Sequence, residues 1–281
     1  MHPTYGKKLK EALGEKGLIP FIGVYDTLSA SVAARHFDGI FVSGFSFAAS
    51  FYGLPDRGLI SWSDLVGFVG RIRAILPGHH ILVDIDDGYA DEEVASHVVS
   101  LLESAGASGV ILEDQKRPRR CGHLDGKQLL PLEEFLPKLE RVIRTRKEMV
   151  VVARTDASSP EEILARIKAF DKAGADWLLP DGMRDPEVVT RIKAHTSTPL
   201  VFNQIAGGKS PALSFTELRT LGISVALYST PCLFPAIDAL EEAVRGLRSS
   251  DGRLPEGPHT TDLKSCTSLL DDNLTRRDGD K

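Results

Sequence analysis

The chain has 281 residues, 42% of them hydrophobic, and a formal net charge of −5. That length supports one large core within the size range of a single α/β barrel, and the acidic balance excludes a basic nucleic-acid module or a surface drawn to anionic lipid. Its three cysteines, Cys121, Cys232 and Cys266, are odd in number, widely separated and without CxxC spacing, which argues against a disulfide framework or structural zinc and predicts a reducing, cytoplasmic setting.

The opening segment, MHPTYGKKLKEALGEKG, is charged, with no apolar centre or small-residue cleavage site. No later stretch approaches the ~18 consecutive apolar residues of a membrane span, so neither export nor insertion is expected. Ile19–Val24 then begins a series of short β-branched and aliphatic runs: Gly39–Ser43, Ile81–Asp86, Gly109–Glu113, Met149–Arg154, Trp177–Pro180, Leu200–Asn203 and Ser224–Tyr228. Most are nearly continuously apolar, as parallel strands buried on both faces must be.

Longer amphipathic segments lie between the runs and carry helix punctuation. Ser159-Pro160-Glu161-Glu162, Asp185-Pro186-Glu187 and Ser214-Phe215-Thr216-Glu217 read as helix starts. Gly106, Gly174 and Gly222 stand where a helix must turn sharply into the next strand. Ile163, Ile167 and Phe170 form one apolar stripe suited to lie on a sheet. Eight strand–helix units in this length predict a closed (β/α)8 TIM-type barrel over residues 1–248; six strands with two misread runs would give an open doubly wound sheet instead. Residues 249–281 are polar and turn-rich with no sustained apolar period, and are expected to form a flexible tail.

Active sites of such barrels form at the C-terminal ends of the strands. The residues closing the runs are Tyr25 and Asp26, Ser43 and Gly44, Asp84, Asp86 and Asp87, Glu113 and Asp114, Arg154 and Asp156, Asp181, Asn203 and Tyr228. A polar residue after a strand is commonly a turn or cap, but polar ends on every strand are harder to explain that way. The carboxylates of the Asp84-Ile85-Asp86-Asp87-Gly88 and Glu113-Asp114 segments converge on neighbouring strands and repel one another unless a cation intervenes. A hard oxygen site for Mg2+ or Mn2+ fits them better than zinc; capping and pairing with arginines is the alternative use. Cys121 follows in Arg119-Arg120-Cys121-Gly122-His123. Flanking cations are expected to favour its thiolate, which suits proton transfer or nucleophilic attack, and Gly122 allows close approach.

These segments, with Ala153-Arg154-Thr155-Asp156, Gly23-Val24-Tyr25-Asp26, Ser43-Gly44-Phe45, Gly53-Leu54-Pro55-Asp56 and Asn203, resemble the successive signatures of the isocitrate lyase/phosphoenolpyruvate mutase superfamily over residues 5–245. The cysteine loop is similar to that of the lyase branch and of the oxaloacetate hydrolases, and phosphonopyruvate-forming mutases typically lack it. The resemblance implies Mg2+ on Asp84, Asp86 and Glu113, with Asp56 in an outer position. It implies substrate contacts from Tyr25, Ser43, Gly44, Phe45, Gly122, Arg154, Asp181 and Asn203, and an acid, Cys121, supported by His123 and Arg119. It also implies a homotetramer in which a helix near residues 233–246 packs on a neighbouring subunit.

The chain departs from the lyase pattern at Asp181, which replaces a glutamate, at Gln204-Ile205-Ala206, which lacks one, at Ser229, which replaces a proline, and at Arg119, which replaces a lysine. The expected activity is cleavage of a substituted 2-hydroxy di- or tricarboxylate to a 2-oxo acid. Hydrolysis of oxaloacetate is the alternative, with Ser229 as a hydroxyl partner, and phosphonopyruvate chemistry is a third.

Overall fold

The computed structural model describes residues 5–254 and 261–279; the expected tail at 255–260 and 280–281 lies outside the described residues. Helices and strands alternate as α1 (Tyr5–Lys16), β1 (Ile19–Val24), α2 (Thr27–Ala33), β2 (Gly39–Val42), α3 (Gly44–Phe47), which runs into a π-helical turn (Ala48–Tyr52), α4 (Trp62–Ile75), β3 (His80–Asp84), α5 (Glu92–Ser104) and β4 (Gly109–Glu113). They continue as α6 (Leu132–Thr145), β5 (Val150–Thr155), α7 (Pro160–Lys172), β6 (Trp177–Pro180), α8 (Glu187–Lys193), β7 (Val201–Gln204), α9 (Phe215–Thr220), β8 (Val225–Tyr228), α10 (Leu233–Ser249) and α11 (Leu263–Asp278).

All strand pairs are parallel, in the order β6-β5-β4-β3-β2-β1-β8-β7. The last gap is spanned by a bridge between Leu178 and Leu200, with the Leu178 N–H donating to the Pro199 carbonyl at 3.0 Å. The result is a nearly closed eight-stranded barrel, as the spacing of the runs predicts, and not an open sheet. The expected caps also form: Ser159 and Ser214 accept from the amides of Glu162 and Glu217, and Gly106, Gly174 and Gly222 take positive φ.

Two apolar cores follow from strand alternation. Side chains pointing outward pack under the helices, where Ile163, Ile167 and Phe170 are buried. Side chains pointing inward, among them Phe21, Phe41, Leu82, Ile111, Val152, Leu179, Val201 and Leu227, fill the barrel, and Leu9 and Leu13 of α1 plug its N-terminal end. Two residues further along each strand the same inward direction reaches Gly23, Ser43, Asp84, Glu113, Arg154, Asp181, Asn203 and Ser229. The core below and the polar ring above are thus one pattern.

The C-terminal region departs from the expected flexible tail. Asp262 caps α11 by accepting from the Ser265 amide, and Asn273, buried at 8% exposure, donates to Ser31 Oγ of α2 at 2.9 Å. Composition missed this helix because a single buried asparagine anchors it.

At the barrel base, Arg73 at the end of α4 donates to the carbonyls of Gly106, Leu76, Pro77 and His79 at 2.7–3.1 Å, beneath the Tyr5 ring. Arg73→Leu strands these buried acceptors and is expected to lower unfolding stability by about 3 kcal/mol; urea denaturation checks this, and a loss within error of zero would contradict it.

Candidate active site

The ring of inward residues sets the site. Strand pairing puts Glu113 beside Arg154 and Asp84 beside Ile111. Arg154, 6% exposed, sends Nη2 to Asp181 at 2.8 Å, Asp156 at 3.1 Å and Glu113 at 3.2 Å, and Nε to Asp156 at 3.2 Å. Nη1 makes no hydrogen bond among the described residues and lies 3.9 Å from Asp84 Oδ2, so this edge of the fork can meet an anion.

After β3 the backbone turns through Asp86 at φ 51°, a left-handed conformation that aspartate tolerates better than most residues. The turn leaves both carboxylate oxygens of Asp86 buried without a hydrogen-bond partner, as is Oε2 of Glu113. Burial pushes the Asp84 and Asp86 carboxyls above the ordinary range, only partly offset by Arg154 and Arg119. Burial also raises Glu113, to about 8. Arg119 Nη1 stands 3.2 Å from Asp86 Oδ1 and Arg154 Nη2 3.2 Å from Glu113 Oε2 without hydrogen bonding them, so the carboxylates are close to cations but outnumber them.

A Cβ on Gly44 would come within 3.0 Å of Asp86 Oδ1 and 3.2 Å of Asp84 Oδ2, so the glycine keeps the space beside them open. Orphaned oxygens, raised pKa values and this clear space fit a divalent cation. Among the described residues no three His, Cys, Asp or Glu side chains close on a single point. This donor set suits Mg2+, which keeps several of its waters and is bound through few protein oxygens.

Ser43 caps α3, its Oγ accepting from the Ser46 amide at 3.3 Å. The amides of Gly44 and Phe45, at the start of α3, have no acceptor within the helix. The Phe45 ring turns away from the carboxylates and meets Phe234 edge-on at 6.0 Å. Tyr25 is half-buried, and burial, reinforced by neighbouring Asp26, raises its phenol pKa. Asp87 and Asp114 leave the cluster as well, Asp87 for Arg117 at 2.6 and 2.8 Å and Asp114 for Arg166 at 3.0 Å.

The loop between β4 and α6 is folded down on this ring. It is pinched by pairing between Gln115 and Leu129, and Gln115 bonds both main-chain groups of Arg120. Arg119, 1% exposed, donates from Nε to Glu113 at 2.8 Å, lies 3.2 Å from Asp86 and pairs with Asp56. A Cβ on Gly122 would overlap Asp181, Arg154 and Asp156, so only glycine permits this seat. His123 Nδ1 accepts from the Lys209 amide at 2.9 Å, which leaves the ring proton on Nε2 to donate to Asp181 at 3.2 Å. Asp181 also accepts from Asn203 at 2.9 Å, and Asn203 accepts from Ser229 Oγ at 2.8 Å. Burial alone would raise Asp181; Arg154, His123 and Asn203 hold it well below the usual carboxylate range.

The expectation of a favoured thiolate is corrected here. Cys121 is 8% exposed, and burial, reinforced by Asp56, pushes its thiol up to about 12. Arg119 is consumed by carboxylates, and an imidazole that accepts at Nδ1 adds no positive charge. The side chain is held as a neutral thiol.

Sequence reasoning passed over Lys127, whose Nζ meets the Gly122 carbonyl and Asp156 Oδ1, the latter at 3.2 Å. In sequence it is one more charge in a polar loop, and only the fold brings it under Gly122. Asp156 was visible as a strand-end carboxylate, but not as the partner shared by Arg154, Gln115 and Lys127.

Buried ion pairs often add no more stability than apolar side chains of similar volume, so this many at one strand-end ring point to function. That marks an enzyme's site. The model of the family described as phosphoenolpyruvate phosphomutase matches residues 9–248. The chain belongs to the isocitrate lyase/phosphoenolpyruvate mutase superfamily. It is 30% identical to 2,3-dimethylmalate lyase of Eubacterium barkeri, with 87% of this chain and 86% of that protein covered. A structure of oxaloacetate acetylhydrolase with 3,3-difluorooxalacetate superposes with a TM-score of 0.90 at 30% identity, covering 98% and 96% of the two chains. Phosphonopyruvate hydrolase with oxalate and Mg2+ superposes with a TM-score of 0.84 at 25% identity, covering 97% and 96%.

Because the thiol is held protonated, alkylation of Cys121 by iodoacetamide should rise about tenfold per pH unit from about pH 8 to about pH 10. Peptide mass spectrometry measures this; a plateau below about pH 9 would show a favoured thiolate and contradict the assignment.

Proposed function

We propose that this enzyme cleaves the C2–C3 bond of a substituted 2-hydroxy dicarboxylate or tricarboxylate, releasing a 2-oxo acid such as pyruvate and a second carboxylate. The observation that carries this reading is the protonated Cys121 thiol over a carboxylate cluster short of cations. Asp84, Asp86 and Glu113 would hold Mg2+ or Mn2+, largely through water, with Asp56 outside them. When bound, the cation supplies positive charge to the 2-oxygen and its carboxylate.

The chain's own groups do the rest. Arg154 Nη1, Ser43 and the amides of Gly44 and Phe45 orient the oxo-acid half. As C2–C3 breaks, the 2-hydroxyl gives its proton to the carboxylate cluster of Asp84, Asp86 and Glu113, and the bonding electrons pass to C3 and its neighbouring carboxylate. Cys121 Sγ–H then protonates that carbon. Asp181 holds Arg154, His123 and Asn203 in register, and Gly122 lets the loop close and exclude water.

A hydrolytic outcome on oxaloacetate is favoured by one specific observation: Ser229 Oγ is buried and bonded to Asn203 at the same ring. A serine there provides a hydroxyl for a hydrated C2 carbonyl. A coupled oxo-acid assay with dimethylmalate, methylisocitrate, isocitrate and citramalate, each with and without EDTA, tests the lyase reading; no release from any of them sinks it. Oxalate and acetate formed from oxaloacetate would decide for the hydrolase. In either case turnover should vanish with EDTA. For the lyase, Cys121→Ser should cost at least about a hundredfold in kcat with folding intact.

We also propose a homotetramer with α10 packed on a neighbouring subunit. Ile237, Leu240 and Val244 lie along one side of this helix at 51%, 65% and 68% exposure, a stripe that water disfavours. Sedimentation should give four times the chain mass, and Val244→Asp should dissociate the assembly; a monomeric parent protein would refute it. Free cysteines at 121, 232 and 266 suit a cytoplasmic enzyme, and no described helix is long and apolar enough to cross a membrane.

A further inference from the structure

The loop that carries the acid is tied to the carboxylates by one residue. Arg119 stands two positions before Cys121, and its guanidinium is the cation shared by Asp56, Asp86 and Glu113. These carboxylates come from three parts of the fold: the loop after the π-helical turn, the turn after β3 and the end of β4. A planar fork with fixed charge can serve three such partners at once; an ammonium on a flexible stem is a single point. Burial opposes the charge of Arg119, but Asp86, Glu113 and Asp56 outweigh it.

Three of the four carboxylates assigned above to the divalent cation are therefore already engaged by a side chain of the loop. A dication entering the cluster meets a positive charge about 3 Å from the oxygens it must share, and Coulomb repulsion at that range lowers its affinity. The converse also holds. Each carboxylate that turns its charge toward the dication holds the guanidinium less tightly, and Arg119 is the deepest anchor of the loop's central segment.

We propose that Arg119 is an internal counter-ion that competes with the divalent cation for Asp56, Asp86 and Glu113, so that cation binding loosens the closed loop and exposes Cys121 to incoming substrate. This rests on the cation site in the reading above, and is independent of which acid is cleaved. Arg119 thus acts as a positioning residue whose effect is felt before substrate arrives.

The test uses the full-length protein without substrate. Mn2+ binding is measured by electron paramagnetic resonance of the free ion for the parent protein, Arg119→Met and Arg119→Lys. Cys121 alkylation is measured by peptide mass spectrometry with and without Mn2+. Arg119→Met should bind Mn2+ at least about tenfold more tightly, with Arg119→Lys between the two. In the parent protein Mn2+ should speed alkylation of Cys121 by at least about fivefold, an opening effect that needs no variant to detect. In Arg119→Met, alkylation should be fast with or without the ion.

Equal or weaker Mn2+ binding by a folded Arg119→Met, or alkylation of the parent protein that ignores Mn2+, would overturn the proposal while leaving the cation site standing. Absence of Mn2+ binding in all three proteins would overturn the cation site itself and this inference with it.

Discussion

Six carboxylates, those of Asp56, Asp84, Asp86, Glu113, Asp156 and Asp181, have buried side chains at the mouth of the barrel, and among the described residues only Arg119, Arg154 and Lys127 bring positive charge among them. Much of the site's character follows from that imbalance. At Glu113 burial outweighs the attraction of Arg119 and Arg154 and carries the carboxyl to about 8. Carboxylates with good partners stay ionised, as Asp181 does between Arg154, His123 and Asn203. The division assigns the two kinds of carboxylate different work. Asp156 and Asp181 position the arginine, whereas Asp86 and Glu113 keep buried oxygens without a hydrogen bond. The same negative field, together with burial, keeps the Cys121 thiol protonated.

Much of this was legible in the sequence because strand ends are cheap to recognise. An apolar run that closes on Asp, Glu, Arg or Asn announces both a buried strand and the residue at its mouth, so the eight strands and the residues of the ring could be named without coordinates. Partners were not legible. Arg119 beside Cys121 in sequence suggests a cation helping a thiolate, yet its side chain reaches away to Glu113, Asp86 and Asp56. Proximity along a loop says little about where a long side chain such as arginine's ends. Phe45 was named through the family resemblance for its backbone amide, and its ring meets Phe234 edge-on. The helix α11 was missed for a related reason: a polar helix held by Asn273 against Ser31 leaves no apolar period to read.

The superfamily contains relatives named as lyases, hydrolases and mutases on one barrel. Fold alone therefore cannot choose among outcomes, and the choice falls to a few groups around a shared oxo-acid half. On the proposed reading those groups are Cys121, Asp181, Asn203 and Ser229, the last three linked with His123 by hydrogen bonds. Chemistry can diverge by changing one of them while the arginine and carboxylates stay fixed.

The two-residue step from Leu82 to Asp84, Ile111 to Glu113, Val152 to Arg154 and Leu179 to Asp181 has a further effect. Slipping any strand by one position would turn its apolar residues out of the barrel and its polar residue away from the mouth together. An error in assembly is therefore punished by loss of stability before it can yield a well-folded but inactive molecule. Proofreading of the active site is built into the register of the strands, and any pressure that keeps the barrel folded also keeps its chemistry aligned.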